Sequence, residues 1–317
     1  MTDDLKSLFT GYWNYLAVNA ACELNLFDKV LDGNKTVEIL CRAYDWNHDA
    51  LDSLVNILKD EGLLQENNFL ELTEKGKFLT STHPNSLYYA CMHWAKEHMD
   101  VWQSLSYTIR TGKSTFEKLY GEPYFEYLNK NPDKLVAYQK AMHEYAQEDY
   151  RDICRAIDCS NYNEIIDVGG GYGALLKHIK KENPSTRCIL FDLPEVVENL
   201  TGDSIEIIAG DFFAEIPIQG QAIILSRVLH DWNDEKATLI LRNCYNALRS
   251  NGVLHIIEIL TDKMNIRPHQ LNLNMQAVCN SKERSSFDYE KLLEGNGFTI
   301  KSQTKVNELQ YVISATK

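Results

Sequence analysis

Two stretches of the chain carry residue types that can do chemistry. In the first, the apolar run Ala222-Ile223-Ile224-Leu225 stops at "SRVLHDWND", so a histidine, an acid and a tryptophan follow at once on the end of a buried strand. An imidazole has an ordinary pKa of ~6.5, so His230 can take up or release a proton near neutral pH. Asp231 and Trp232 read as structural parts of the same turn, Asp231 either capping the helix "DEKATLI" or touching a ligand. In the second stretch, "IIDVGGGYGALL", Gly169, Gly171 and Gly173 permit a tight turn and a close backbone approach to a ligand. So many glycines in one connection cost too much conformational entropy for a simple turn.

Further acids extend these two stretches. Asp192 ends the strand "CILFD", where an acid can accept both hydroxyls of a ribose, in NAD or in any adenosine ligand. Asp211, in "AGDFF", is placed to accept from an adenine amino group, with Phe212 and Phe213 beside it. Gly169 to Ala174 also fits G-x-G-x-x-A, the dinucleotide fingerprint. An NAD-dependent oxidoreductase is therefore a second reading, and Asp211 speaks against it. Glu258 lies inside the apolar run "LHIIEIL", where an acid is costly unless paired. Glu283, in "SKERSSF", stands just before the last helix. His255 is three residues from Glu258 in the same strand, on the opposite face, and is left out of the site.

The elements that must position these residues follow two different patterns. From residue 164, strands and helices alternate: "EIIDV", "ALLKHIKKEN", "CILFD", "PEVVENL", "IEIIAG", "QAIILSR", "EKATLILRNCYNAL" and "GVLHIIEIL". This is the pattern of an α/β doubly wound parallel sheet. "FTIKSQTKV" and "LQYVISATK" then form an antiparallel hairpin at its edge. Residues 1–105 instead read as helices, "LFTGYWNYLAVNAACELNLFDKVL", "TVEILCRAY" with Thr36 as its cap, and "NHDALDSLVNILKDEGLL" closed by Gly62. A hairpin, "LLQENNFLELT", turns at Asn67-Asn68. Helices followed by such a wing make the winged-helix pattern. Residues 106–160 read as mostly helical, with "GEPYFEYLNKNPDKL" as a turn-rich interruption and "KLVAYQKAMHEYAQEDYRDICRAI" as a long bridge to the second half.

Charge and composition remove several classes of function. The 317 residues suggest two domains, 1–105 and 106–317, and carry a net charge of −13. The first 100 residues hold eight Lys and Arg against sixteen Asp and Glu, so the winged helix reads as a packing or dimerisation domain and not as a DNA reader. A transcriptional regulator is thus a third reading that rests on fold analogy alone. No run reaches the ~18 to 20 apolar residues of a membrane span. The acidic start, Met1-Thr2-Asp3-Asp4, lacks a signal-peptide pattern, and a cytoplasmic protein is expected. The eight cysteines form no CxxC pair, so they read as reduced core residues and no metal site is expected.

"DVGGGYG", "FDLPEVV", "GDFF", "SRVLHDWND" and "KERS", in this order, resemble the S-adenosylmethionine-dependent O-methyltransferases, in particular the dimeric small-molecule enzymes of plants and bacterial natural-product pathways. The resemblance covers nearly the whole chain. It implies a seven-stranded Rossmann-like sheet behind a dimerisation domain. It also implies a methyl group passed from S-adenosylmethionine to a hydroxyl of a small aromatic or polyketide-like molecule. The glycine loop, with Gly169 and Gly171, would then face the methionine part of the cofactor, Asp192 the ribose, and Asp211 and Phe212 the adenine, with Asp167 and Leu193 also among the cofactor-binding residues. Ser226 stands where the family often has a lysine, and is followed by Arg227, so this contact to the cofactor is expected to be altered. His230 matches the family's general base, and Glu258 and Glu283 match its carboxylate partners, either of which could orient the imidazole. Tyr124, Phe125, Met142, His143, Asn274 and Met275 match positions that line the family's acceptor pocket. Tyr12 and Trp13 would reach a partner's pocket if the dimer exchanges its first helices. Members of the family that methylate nitrogen or carbon, or that keep the cofactor and run another reaction, stand as alternatives.

Overall fold

The computed structural model describes residues 2–202, 204–263 and 268–317. They form two compact units. The first takes the chain up to Lys96 and adds Lys140–Tyr145; the second comprises Glu97–Gln139 and Ala146–Lys317.

In the first unit, the helical spacing of residues 8–31 resolves into separate helices, Tyr12–Glu23 and Leu26–Leu31. The break falls at Asn25, whose φ of 51° is left-handed, a conformation asparagine tolerates better than most residues. Thr36 starts the helix Val37–Tyr44 by accepting from the Ile39 amide, and Asn47 does the same for His48–Asp60 through Ala50. The latter helix buries Leu51, Val55 and Leu58, one stripe of its surface. They pack with Leu26, Phe27, Leu40 and with Leu70 of a small antiparallel hairpin, β1 (Leu64–Glu66) and β2 (Leu70–Leu72). Leu8, Phe9, Tyr12 and Trp13 stay exposed.

The second unit is built on seven strands: β3 (Glu164–Val168), β4 (Arg187–Asp192), β5 (Glu206–Ala209), β6 (Gly220–Ser226), β7 (Leu248–Ile259), β8 (Thr299–Lys305) and β9 (Gln310–Thr316). Their order is β5-β4-β3-β6-β7-β9-β8, parallel up to β7, with β9 antiparallel to both its neighbours. Side chains alternate across the sheet, as a pleated strand requires. Ile165, Ile224, Ile257 and Val312 face one buried cluster, while Ile166, Ile223, Leu225, Ile256 and Ile313 face the other. Both faces are covered, which explains the near-continuous apolar runs of the central strands. Chain order reverses between β3 and β6. In open α/β sheets, ligands bind beyond the carboxyl ends of the strands at such a reversal.

Two elements differ from the sequence reading. "GEPYFEYLNKNPDKL" is not a turn-rich interruption: it contains the helix Tyr124–Lys130 and the start of the helix Pro132–Asp149. Pro123 stands just before the first, and Pro132 is the first residue of the second. There proline's missing N–H costs nothing and its fixed φ suits a helix start. The "PEVVENL" helix shrinks to one turn, Pro194–Val197.

Candidate active site

The loops after β3 and β6 are neighbours because their strands are paired. In the first, Gly169 has a φ of +74°, and a Cβ there would meet Val228 Cγ2 at 2.9 Å. Gly171 has a φ of +57°, and a Cβ there would meet Gln139 Oε1 at 2.8 Å. Both positions therefore favour glycine for conformation, and Gly169 for space as well, whereas the flexible Gln139 side chain could move away from Gly171. The backbone so shaped turns the Gly171 amide onto Asp192 Oδ2 at 2.8 Å, while Asp192 Oδ1 accepts from the Leu193 amide at 2.7 Å. Each carboxylate oxygen keeps a further lone pair for a hydroxyl donor. Burial pushes Asp192 up to about 6, against the pull of these two amides. Asp167, on the end of β3, has both oxygens buried with no donor, and burial, with Asp192 nearby, pushes it up to about 8. Such an orphaned carboxyl fits an ammonium or another donor brought by a ligand. Asp211 Oδ1 accepts from the Phe213 amide at 2.8 Å, and Phe212 and Phe213 meet edge-to-face at 4.8 Å. These features fit an adenosine ligand that carries an amino acid.

The second loop folds "SRVLHDW" into a short 3₁₀ turn, Leu229–Asp231, at the end of β6. His230 is buried there, and its Nδ1 lies 3.1 Å from Glu283 Oε1. Its Nε2 lies 3.1 Å from the Arg227 carbonyl oxygen and 3.4 Å from Asp231 Oδ1. Glu258 does not touch the ring; its Oε1 accepts from the His230 amide at 3.2 Å. The sequence allowed either glutamate to orient the imidazole, and the structure brings Glu283 to it. Burial and the Arg227 guanidinium pull the imidazole down. Asp231, Glu283 and Glu258 outweigh them and bring it up to about 9. Burial likewise pushes Asp231 up to about 6, and Asp231 does not cap the following helix, since Asn233 does so by accepting from the Lys236 amide.

Ser226 and Arg227, expected at the cofactor, make other contacts. Ser226 Oγ is hydrogen-bonded to the Tyr150 hydroxyl. The Arg227 guanidinium lies against both glutamates. Its Nη1 donates to Glu258 Oε2 at 2.9 Å and to Glu283 Oε2 at 3.1 Å, and Nη2 donates to Glu283 Oε1 at 2.7 Å. Among the described residues, His230, Glu258 and Glu283 are the group whose ligand-type atoms come within 4.8 Å of one another. The charge that meets these two carboxylates is the guanidinium.

The segment 281–284 grips the same turn from the other side. Ser281 Oγ donates to the His230 carbonyl. Arg284 is 1% exposed and donates to the Leu229 carbonyl at 2.6 Å, the Trp232 carbonyl at 2.7 Å and Asp234 Oδ1 at 2.7 Å. Sequence reasoning used only the glutamate of "KERS"; a basic residue beside a buried acid was the signal for Arg284. His255 bonds Ser314 and Tyr162, away from this cluster.

Of the acceptor-side residues, Tyr124 and Phe125 lie in an aromatic group with Tyr138, and Phe125 approaches Trp232 at 5.2 Å and 32°. Asn274 and Met275 lie on the helix Pro268–Cys279, which packs against the Leu229–Asp231 turn. Asn274 Oδ1 accepts from Trp102 Nε1 at 2.9 Å, a partner that nothing in the sequence marked. Met142 and His143 belong to the segment Lys140–Tyr145 of the first unit.

This geometry, a glycine cradle beside a carboxylate-held imidazole at a sheet reversal, suits a nucleoside cofactor that delivers a group to a nearby acceptor. Comparison with known proteins makes the class definite. The O-methyltransferase domain family model matches residues 102–299. The phenazine O-methyltransferase PhzM of Lysobacter antibioticus is 30% identical, over 93% of this chain and 90% of that protein. The 3-amino-4-hydroxybenzoate 4-O-methyltransferase of Streptomyces cremeus is also 30% identical, over 98% of this chain and 89% of that one. The crystal structure of human N-acetylserotonin methyltransferase in complex with S-adenosylmethionine superposes with a TM-score of 0.92 at 25% identity, covering 100% of this chain and 97% of that one. The chain belongs to the O-methyltransferase family. Its reaction is the S-adenosylmethionine-dependent methylation of a hydroxyl group on a small molecule.

Proposed function

We propose that the chain methylates a hydroxyl of a flat aromatic or polyketide-like molecule, with His230 as the general base. The observation that carries this reading is the imidazole on the end of β6, held at Nδ1 by Glu283 at 3.1 Å. A neutral phenol is a weak nucleophile, so its proton must leave as the new bond forms. Glu283 keeps the Nδ1 proton, which leaves Nε2 to receive the acceptor's. The resulting imidazolium is stabilised by Glu283 and by the Arg227 carbonyl facing Nε2. S-adenosylmethionine supplies, when bound, an electrophilic methyl carbon on a sulfonium. Asp192 would hold its ribose, Asp211 and Phe212 its adenine, and Asp167 with the Gly169–Gly171 backbone its amino-acid end. The aromatic group of Tyr124, Phe125 and Tyr138, with Met275 and Asn274 nearby, suits an apolar, planar acceptor. Met142 and His143, which the family resemblance also matches to acceptor-binding positions, lie in the first unit.

The first unit, with its hairpin after the helices, is proposed as a winged-helix dimerisation domain. Its exposed Leu8, Phe9, Tyr12 and Trp13 support that reading, because apolar residues grouped on a surface mark interaction sites. No described helix is long and apolar enough to cross a membrane. The test of the base is His230→Ala. It is expected to lower kcat by ~10² to 10⁴-fold and to leave S-adenosylhomocysteine affinity unchanged in calorimetry. Equal loss of turnover and affinity would contradict the assignment.

A further inference from the structure

Arg227 is unusual in conformation and in charge. Its φ of 55° lies in the left-handed region, where non-glycine residues are uncommon and where strain gathers at functional sites. Its amide donates to the Ile257 carbonyl at 2.9 Å, which ties the turn to β7. This conformation lets one residue act in two directions. The side chain runs to Glu258 and Glu283, while the carbonyl of the same residue faces His230 Nε2. The two glutamates are fully buried, and two buried carboxylates beside an imidazole would hold its proton too firmly for a base that must turn over. The guanidinium is the cation that offsets them, and its fork spans both carboxylates as a single ammonium could not.

We propose that Arg227 is a positioning residue of the methyl-transfer reaction. Its side chain fixes Glu258 and Glu283 and offsets part of their field at His230, and its carbonyl accepts a hydrogen bond from the Nε2–H once the ring is protonated. No new bond beyond the reaction itself is involved: the acceptor's hydroxyl proton passes to Nε2, stays on the ring with that N–H donating to the Arg227 carbonyl, and leaves from the ring to solvent. The net upward position of the imidazole, with Arg227 pulling against the acids, is consistent with this balance. The other groups facing the cluster are few. Asp231 lies on the same turn, Tyr289 on the helix Ser286–Glu294, Cys279 at the end of the helix Pro268–Cys279, and Asp149 and Tyr150 at the end of the helix Pro132–Asp149. Tyr138 faces Asp231, and Arg284 is a second buried cation against the same turn, but it bonds Asp234 and main-chain carbonyls; among the described residues, Arg227 is the cation that bonds both glutamates.

The proposal rests on the reading of His230 as the base, but its test does not require an acceptor. The full chain is labelled at histidine ¹³Cε1, and the His230 signal is assigned with H230N and followed against pH. Arg227→Met is expected to raise the His230 midpoint by at least one pH unit, roughly tenfold in proton affinity. R227K, which keeps the charge, is expected to stay near the wild-type midpoint. Glu258→Gln, which leaves the guanidinium in excess, is expected to move the midpoint down and carries the test if R227M fails to fold. All folded variants should bind S-adenosylhomocysteine as the wild type does. Unmoved midpoints in folded R227M or E258Q would overturn the proposal. So would a loss of S-adenosylhomocysteine binding in R227M and R227K, which would return Arg227 to the cofactor. Failure of H230A to reduce turnover would sink the base reading while leaving these midpoints to be judged separately.

Discussion

His230 has acceptors at both ring nitrogens, Glu283 at Nδ1 and the Arg227 carbonyl at Nε2. That is the environment of an imidazolium, the form the ring takes once it has captured a proton. With its pKa up at about 9, only a small fraction is neutral at pH 7, and the neutral fraction grows as pH rises. Accordingly, kcat/KM, which reports the free enzyme, is expected to climb from neutral pH towards about 9; a flat profile across that range would place the proton elsewhere. Asp192 gives the opposite sign. Its carboxylate, at about 6, accepts hydroxyls best when ionised, so S-adenosylhomocysteine affinity should fall as pH drops through that value. Asp192→Ala should weaken binding by more than ~1 kcal/mol, the order of a lost charge-assisted hydrogen bond, and should remove this pH dependence; calorimetry reads both. These residues were legible because their types are unusual where they stand, an acid ending an apolar strand or a histidine beyond one. Arg227 was legible as a departure but not in its role, because a left-handed backbone that points side chain and carbonyl to different partners leaves no periodic trace.

The element proposed to hold the base is the 3₁₀ turn after β6, gripped by Glu258 on β7 and by the segment 281–284. Arg284 satisfies two main-chain carbonyls that flank His230. Arg284→Ala leaves the Trp232 carbonyl without that donor and the Leu229 carbonyl with the Trp232 amide alone at 3.3 Å, and is expected to cost about 1 to 3 kcal/mol, the order of one unsatisfied buried group. Urea unfolding measures this, and a loss under 1 kcal/mol would mean that the clamp is dispensable. At this level the sequence was read well where periodicity is strong. β3, β4, β6, β7 and the terminal hairpin stand where their alternating or continuous apolar runs put them. It was read poorly around Pro123 and Pro132, where a turn-rich interruption was expected and helices begin instead. The pairing of loops 169–173 and 226–232 was not visible as such, because it follows from strand order, which local residue pattern does not contain.

The molecule as a whole joins an acidic helical unit to a sheet unit that carries the family's reaction. If the first unit is a dimerisation domain, sedimentation at micromolar concentration should give a dimer, and charged substitutions at Phe9 and Trp13 should shift it towards monomer. A monomeric wild-type protein would contradict that role. The family model matches residues 102–299, which lie almost wholly in the second unit. The most direct test joins cofactor, acceptor and base in one experiment. Wild type and His230→Ala are incubated with methyl-labelled S-adenosylmethionine and a panel of planar phenols, alongside the same scaffolds with the hydroxyl blocked. The expected result is label on the free hydroxyl with the wild type, none on the blocked scaffolds, and turnover in His230→Ala lower by ~10²-fold or more. Label on blocked scaffolds, or undiminished methylation by His230→Ala, would contradict hydroxyl methylation through His230.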